Sequence, residues 1–436
     1  MINREITFEN RDEYGRKGVA DKINKLFSSE VNVSPMIIDG RWGQGKTEFC
    51  YKLINQLEVS GISCVYIDAY RNDHIDDPLL MIFSAIVEHI GDVEKKEKLI
   101  NKAIPVLAFG LKVVGKAAIS WGLKQDTEVI AEDFEAAVQK SCDAIFDAVA
   151  KKLISDYQEK EANLDALNKA LRLATESEKL FIFIDELDRC RPSFSIEIIE
   201  KIKHVFDIPS ITFVLVTNSE QLKASVNHIY GQHIDAGDYI NKFINFTVRL
   251  NQYVGESYNR TFNSTNHFRV LVNAHKDLLF ISGQANINKF IVRLIENNNF
   301  SLRQVEKFTT RLRAVNVISN PPMASMPFTG CLILISIIFL DCSCPQVVDK
   351  IERGELKGGE VTEILNLKFS ESLDNGSTHF IHMNDIWSLG DKSDPENSQF
   401  YLKGTVDRIS SEYMEDNVPK LIGNLFINAI RTVRLT

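Results

Sequence analysis

The feature that most constrains this chain is an octapeptide, Gly40-Arg41-Trp42-Gly43-Gln44-Gly45-Lys46-Thr47. It lies between a short apolar run at 36–39 and a stretch in which Phe49, Leu53, Ile54 and Leu57 recur at helical intervals. Glycines at 40, 43 and 45 let the backbone curl until its N–H groups converge on one anion. The helix that follows turns its positive end toward the same point, and Lys46 adds a full charge suited to β- and γ-phosphates. Trp42, Gln44 and Glu48 complete the set expected around a bound nucleotide, and the Thr47 hydroxyl is the expected Mg²⁺ ligand. After Gly61 breaks the helical pattern, residues 62–67 resume as a strand. Strand, loop, helix and strand in this order open a parallel sheet, so the fold class read from the sequence is α/β with a P-loop core.

A phosphate loop needs a carboxylate for its metal at the end of a second strand. Residues 180–184 (Leu-Phe-Ile-Phe-Ile) form such a strand and run directly into Asp185 and Glu186. Asp185 is placed to hold the Mg²⁺ water shell, and Glu186 to polarise the attacking water as a general base. Asp188 and Arg189 follow in the same turn. For Asp188 a catalytic role and a structural ion pair stand as alternatives, while Arg189 either pairs with it or reaches a neighbouring subunit's phosphate. The strand at 211–216 leads into Thr217-Asn218, whose amide either orients the attacking water or simply turns the chain. Arg303, at the start of a helix in Ser301-Leu-Arg-Gln-Val-Glu-Lys, is a candidate to reach back to the nucleotide, against the plainer reading of a solvated helix arginine. A guanine-reading Asn-Lys-x-Asp motif does not stand after the strands, since Asn241-Lys242-Phe-Ile lacks the acid. The expected nucleotide is therefore ATP.

A length of 436 residues calls for two or three domains. The pattern divides at 1–78 (first part of the NTPase core), 79–176 (helical insertion), 177–255 (second part of the core) and 256–436 (mainly helical lid and C-terminal region). Within the insertion, helical periodicity runs over 79–90, 106–123, 132–157 and 162–173. Residues 103–123 are nearly long enough to span a bilayer, but Lys112 and Lys116 sit mid-segment, each costing roughly 3 kcal/mol at a helix centre. A buried or partner-binding helical hairpin is the first reading, ahead of attachment to a membrane surface and of a true span. The apolar run 331–340 reads as a buried core helix, and 371–399, rich in Asn, Asp, Ser and Gly, as a surface loop. A net charge of -9 gives no support to broad phosphate-driven nucleic-acid binding. Seven scattered cysteines without paired spacing, and an N-terminus without an apolar run, place the chain in the cytoplasm, with peripheral contact at the inner membrane as the variant that 103–123 leaves open.

Together these pieces resemble the KAP family of P-loop NTPases over most of residues 10–355. Asp12-Glu-Tyr-Gly-Arg-Lys looks like that family's entry helix, and Gly40-Arg-Trp42-Gly-Gln-Gly-Lys-Thr is similar to its G-x-W-G-x-G-K-T loop. Tyr66-Ile-Asp-Ala-Tyr70-Arg-Asn-Asp resembles the second-strand motif, with Tyr70 where Trp is usual. Asp185-Glu186-Leu-Asp188-Arg189-Cys190 resembles D-D-L-D-R-C, with Glu186 in place of the second Asp. Asn218 stands where the family's strand usually ends in Asp, and Asp238-Tyr239-Ile-Asn-Lys242 resembles Y-L-x-K. The resemblance implies an additional-strand P-loop core with a helical insertion between the phosphate and acid motifs, an insertion that carries transmembrane helices in many members. It also implies a bacterial antiviral or phage-exclusion setting, with a separate effector protein as partner, and self-association is expected where one subunit completes its neighbour's site.

Overall fold

The structure, a computed structural model, describes residues 5–74, 78–110, 166–173, 175, 179–206, 208–255, 260–355, 358–366, 409–414 and 417–435. The chain forms two compact units, one of Met1–Asp12 with Arg16–Asn251 and the other of Glu13–Gly15 with Gln252–Thr436.

The first unit is built on a sheet of five strands: β1 (Met36–Asp39), β2 (Ser63–Asp68), β3 (Leu180–Asp185), β4 (Ile211–Thr217) and β5 (Phe246–Arg249). All pairings are parallel, in the order β2-β3-β4-β1-β5. The register sets Asp39 beside Thr217 and Asp68 beside Asp185, so the strands end together on one edge. Strand β4 separates the loop strand β1 from the acid strand β3, which is the additional-strand arrangement. Helices cover both faces, which is why these strands read as unbroken apolar runs rather than alternating ones. On one face Met36, Ile38, Phe181, Phe183, Val214 and Val216 join one core with Ile23 and Phe27 of α1 (Lys17–Phe27) and Phe49, Leu53 and Leu57 of α2 (Lys46–Val59). On the other, Ile37, Ile182, Ile184 and Leu215 join α3 (Pro78–His89) and α5 (Pro192–Val205). Each such side chain taken fully from water contributes about 1.5–3 kcal/mol.

Between β2 and β3 the described residues are helical: α3, α4 (Val93–Gly110) and 166–173. Helix α4 begins well before the apolar stretch at 106 because Leu99, Ile100 and Ala103 already make a buried stripe among lysines. The rest of the 103–123 segment, the periodic stretch 132–157 and the proposed loop 371–399 lie outside the described residues. No helix among the described residues is long and apolar enough to cross a membrane. Helix α6 (Ser219–Tyr230) was not marked by periodicity, since only Leu222 and Val226 bury. Its signals are the ends: Asn218 caps it, with Oδ1 accepting from Glu220 N at 3.2 Å, and Gly231 leaves it at φ 90°. A short α7 (Ala236–Asn241) follows before β5.

The second unit opens with the two-stranded antiparallel pair 253–254 and 261–262, then helices α8 (Asn263–Ala274), α9 (Ala285–Asn297), α10 (Leu302–Ile318), α11 (Phe328–Ser343), α12 (Pro345–Glu352) and α13 (Val418–Arg434). Every residue of 331–340 is buried, as expected of a core helix. Phe339 of α11 stacks on Phe300 at 4.5 Å between ring centroids. A capping box between Ser301 and Gln304 starts α10. In the same unit His267, almost fully buried, contacts Glu13 Oε1 through Nδ1 at 2.9 Å and Glu306 Oε1 through Nε2 at 3.2 Å, with the Tyr14 hydroxyl 3.2 Å from Nδ1.

Candidate active site

The loop between β1 and α2 is shaped by its own residues. Gly40 N–H donates to Thr217 O at 3.2 Å, tying the loop's start to β4. Gln44 closes it from within: its Oε1 accepts from Arg41 N at 2.9 Å while its own N–H donates to Arg41 O at 3.3 Å. Gly43 and Gly45 take φ of 71° and 73°, the left-handed region that side chains rarely enter. Gly45 is also the N-cap of α2, so the helix starts on Lys46 with its N–H groups facing the loop. The buried Lys46 Nζ donates to Gly40 O at 2.8 Å and lies 3.6 Å from Asp188 Oδ2. From beneath, Arg16 donates to Gly45 O at 3.3 Å and to Asn251 O at 3.5 Å.

Asp185 closes β3 and is fully buried. Its Oδ1 accepts from Glu186 N at 2.7 Å and its Oδ2 from the Tyr66 hydroxyl at 3.1 Å, and the Thr47 hydroxyl also bonds to it. Burial raises its pKa above the ordinary aspartate value, against the pull of these donors and of Lys46. Thr47 and Asp185 thus bring together two hard oxygen ligands beside a loop of N–H donors, the set that Mg²⁺ bound to a nucleotide requires. Among the described residues no three His, Cys, Asp or Glu side chains gather into a metal site, and such a Mg²⁺ ion needs no such cage, since phosphate and water supply the rest of its shell.

Glu186 follows in left-handed backbone, φ 60° and ψ 25°, which turns its side chain away from the strand direction. Its carboxylate pairs with Arg189 Nε. Partial burial and the neighbouring Asp185 raise its pKa, and Arg189 opposes them. The turn 187–189 is pinned by Leu187, buried in the core, and by the Ser195 hydroxyl, which donates to Leu187 O at 2.8 Å. This presents the Asp188 side chain, 1% exposed, to the loop: Oδ2 accepts from Trp42 Nε1 and faces Lys46, while Oδ1 has no partner. A buried carboxylate oxygen without a donor is costly, and a ligand group placed there would relieve it.

The structure therefore brings Gly40, Trp42, Gly43, Gln44, Gly45, Lys46, Thr47, Asp185, Glu186 and Asp188 to one edge of the sheet. Arg189 pairs with Glu186 rather than with Asp188. Glu48 turns its carboxylate to Lys52 at 2.7 Å, leaving its backbone as the part that faces the loop's end of α2. Asn218 spends its carbonyl oxygen on the cap of α6. Arg303 belongs to the second unit, exposed in the first turn of α10. Sequence reading gave no role to Tyr66 and none to Thr217, whose buried Oγ1 lacks a partner at the end of β4. The register of β2 on β3 was the signal for Tyr66, and it becomes visible only once the strands are paired.

A parallel sheet with an extra strand between its phosphate loop and its acid strand defines a P-loop nucleoside triphosphatase core. The family model described as the KAP family P-loop domain matches residues 16–318, and the chain belongs to that family. Membership suggests nucleotide binding and NTPase activity for the chain. No curated protein matches the chain significantly in sequence.

Proposed function

We propose that the protein binds ATP with Mg²⁺ and hydrolyses it, using nucleotide state to control a partner protein. The observation that carries the reading is the convergence, at one sheet edge, of the Gly40–Thr47 loop, the Lys46 ammonium and the Thr47–Asp185 oxygen pair. When bound, Mg²⁺ supplies charge neutralisation between the β- and γ-phosphates. Thr47 and Asp185 would hold it. The loop N–H groups and Lys46 cradle and neutralise the phosphates, and Lys46 exchanges its contacts with Gly40 O and Asp188 for phosphate oxygens. Glu186 accepts the proton of the attacking water, its carboxylate held ready by Arg189 and released by breaking that pair. Asp188 fixes Trp42 across the loop and offers its unpartnered Oδ1 to the water network.

The absence of a guanine-reading acid after Lys242 favours ATP over GTP. A separate effector and a role in bacterial antiphage defence extend this reading by analogy with family relatives, and self-association completes it by letting one subunit reach its neighbour's site. Calorimetric titration of full-length protein with ATP and Mg²⁺ tests the core of the proposal. Lys46→Ala should abolish tight binding, and an unchanged affinity would remove the assignment of this loop to phosphate.

A further inference from the structure

The metal carboxylate Asp185 is held from the neighbouring strand β2 by a side chain that is not an acid. In the β2–β3 register Tyr66 stands opposite Phe183, and its side chain shares a face with Phe183 and Asp185 because residues two apart on a strand point the same way. The ring therefore leans along β3 and delivers its hydroxyl to Asp185 Oδ2 at 3.1 Å. On the other side the Tyr66 ring meets Tyr51 of α2 edge-on, with centroids 5.0 Å apart, and the two hydroxyls hydrogen-bond. Tyr51 and Thr47 sit one helical turn apart on α2, so the same helix that supplies the Thr47 hydroxyl also braces Tyr66.

We infer that Tyr66 is a positioning residue for the divalent metal, fixing Asp185 so that one carboxylate lone pair stays directed at the ion, with Tyr51 as its brace. This deepens the Mg²⁺–nucleotide reading above and rests on it. An ionised carboxylate accepts about four hydrogen bonds. Glu186 N–H, Thr47 and Tyr66 occupy part of that capacity from fixed directions, which removes rotation about the Asp185 side chain and leaves the remainder for the ion's shell.

Outer-shell partners of metal ligands typically set metal affinity by about 10- to 100-fold. The test uses full-length protein, a fluorescent ATP analogue and Mg²⁺ concentrations buffered with EDTA. Tyr66→Phe, which keeps the ring, should raise the Mg²⁺ concentration for half-maximal nucleotide binding by about 10-fold or more. Binding of the nucleotide without metal should stay as in the wild type, and turnover should recover at saturating Mg²⁺. Tyr51→Phe should move the same midpoint in the same direction by less, and it carries the test if Tyr66→Phe fails to fold. A Mg²⁺ midpoint unmoved by Tyr66→Phe, or equal loss of binding with and without metal, overturns the positioning role. A wild-type protein whose nucleotide binding ignores Mg²⁺ overturns the metal reading itself, and that outcome is distinguished by appearing before any substitution is made.

Discussion

Strand β3 and the 331–340 stretch of helix α11 are both wholly buried, and they end differently. The strand carries Leu-Phe-Ile-Phe-Ile into a carboxylate, Asp185, that stays buried with donors arranged around it. The helix keeps ten residues, 331–340, inside a core, and its polar residue Ser336 returns its hydroxyl to Leu332 O at 2.8 Å within the same helix. Burial in α11 serves stability alone: apolar area leaves water and the hydroxyl is satisfied locally. Burial at the end of β3 costs stability, because a charged group is taken from water and nearby oxygens on Asp188 and Thr217 lack partners. The groups that carry this cost gather at one edge of the sheet.

The sharpest way to break this contrast is Glu186→Gln. It preserves shape and removes the charge, so single-turnover hydrolysis should fall about 10²- to 10⁴-fold while ATP affinity survives. Hydrolysis at the wild-type rate would move the base to Asp188. The converse experiment is Leu332→Ala, which should destabilise the second unit by about 2–5 kcal/mol through lost transfer energy and a cavity. Hydrogen exchange of α11 amides reads that loss, and nucleotide affinity per folded molecule should be unchanged. A drop in affinity would show that the α11 core is not solely structural. The smallest effect is expected for Asn218→Ala, which removes the cap of α6 at a cost of about 0.5–2 kcal/mol. Here turnover sharpens the comparison: a rate loss well beyond that amount would give the Asn218 amide a second task at the nucleotide.

How much of this could be read from the sequence follows from what each feature depends on. The loop and the strands flanking it were legible because glycine spacing, an apolar run and helical periodicity are local properties. The extra strand between β1 and β3 was implied by resemblance, whereas the full order β2-β3-β4-β1-β5 follows from pairing, which no local pattern contains. Asp185 and Glu186 were recognisable by chain order, but their opposite environments depend on a left-handed Glu186 and on a tyrosine from β2. Asp188 could be named yet not assigned between ion pair and catalysis, since its partners Lys46 and Trp42 lie far away in sequence. Helix α6 escaped because a surface helix needs only two buried residues when its ends are well capped.

The passage of Glu13–Gly15 into the second unit, between stretches that belong to the first, means that the units are not beads on a string. A fragment cut out as 252–436 forfeits Glu13 and Tyr14, and the His267 imidazole then loses the carboxylate at 2.9 Å and the phenol at 3.2 Å that now enclose one of its nitrogens. Its Asn266 neighbour loses the Glu13 carbonyl that accepts its amide at 2.6 Å. The excised first unit is no better served, for the same incision severs Arg16, which donates to Gly45 O, from the residues that lead into it. Ribosomal synthesis meets this arrangement in sequence: the three residues emerge ahead of every strand of the sheet and find their packing partners at 266 and 267 only after the whole sheet unit has been made.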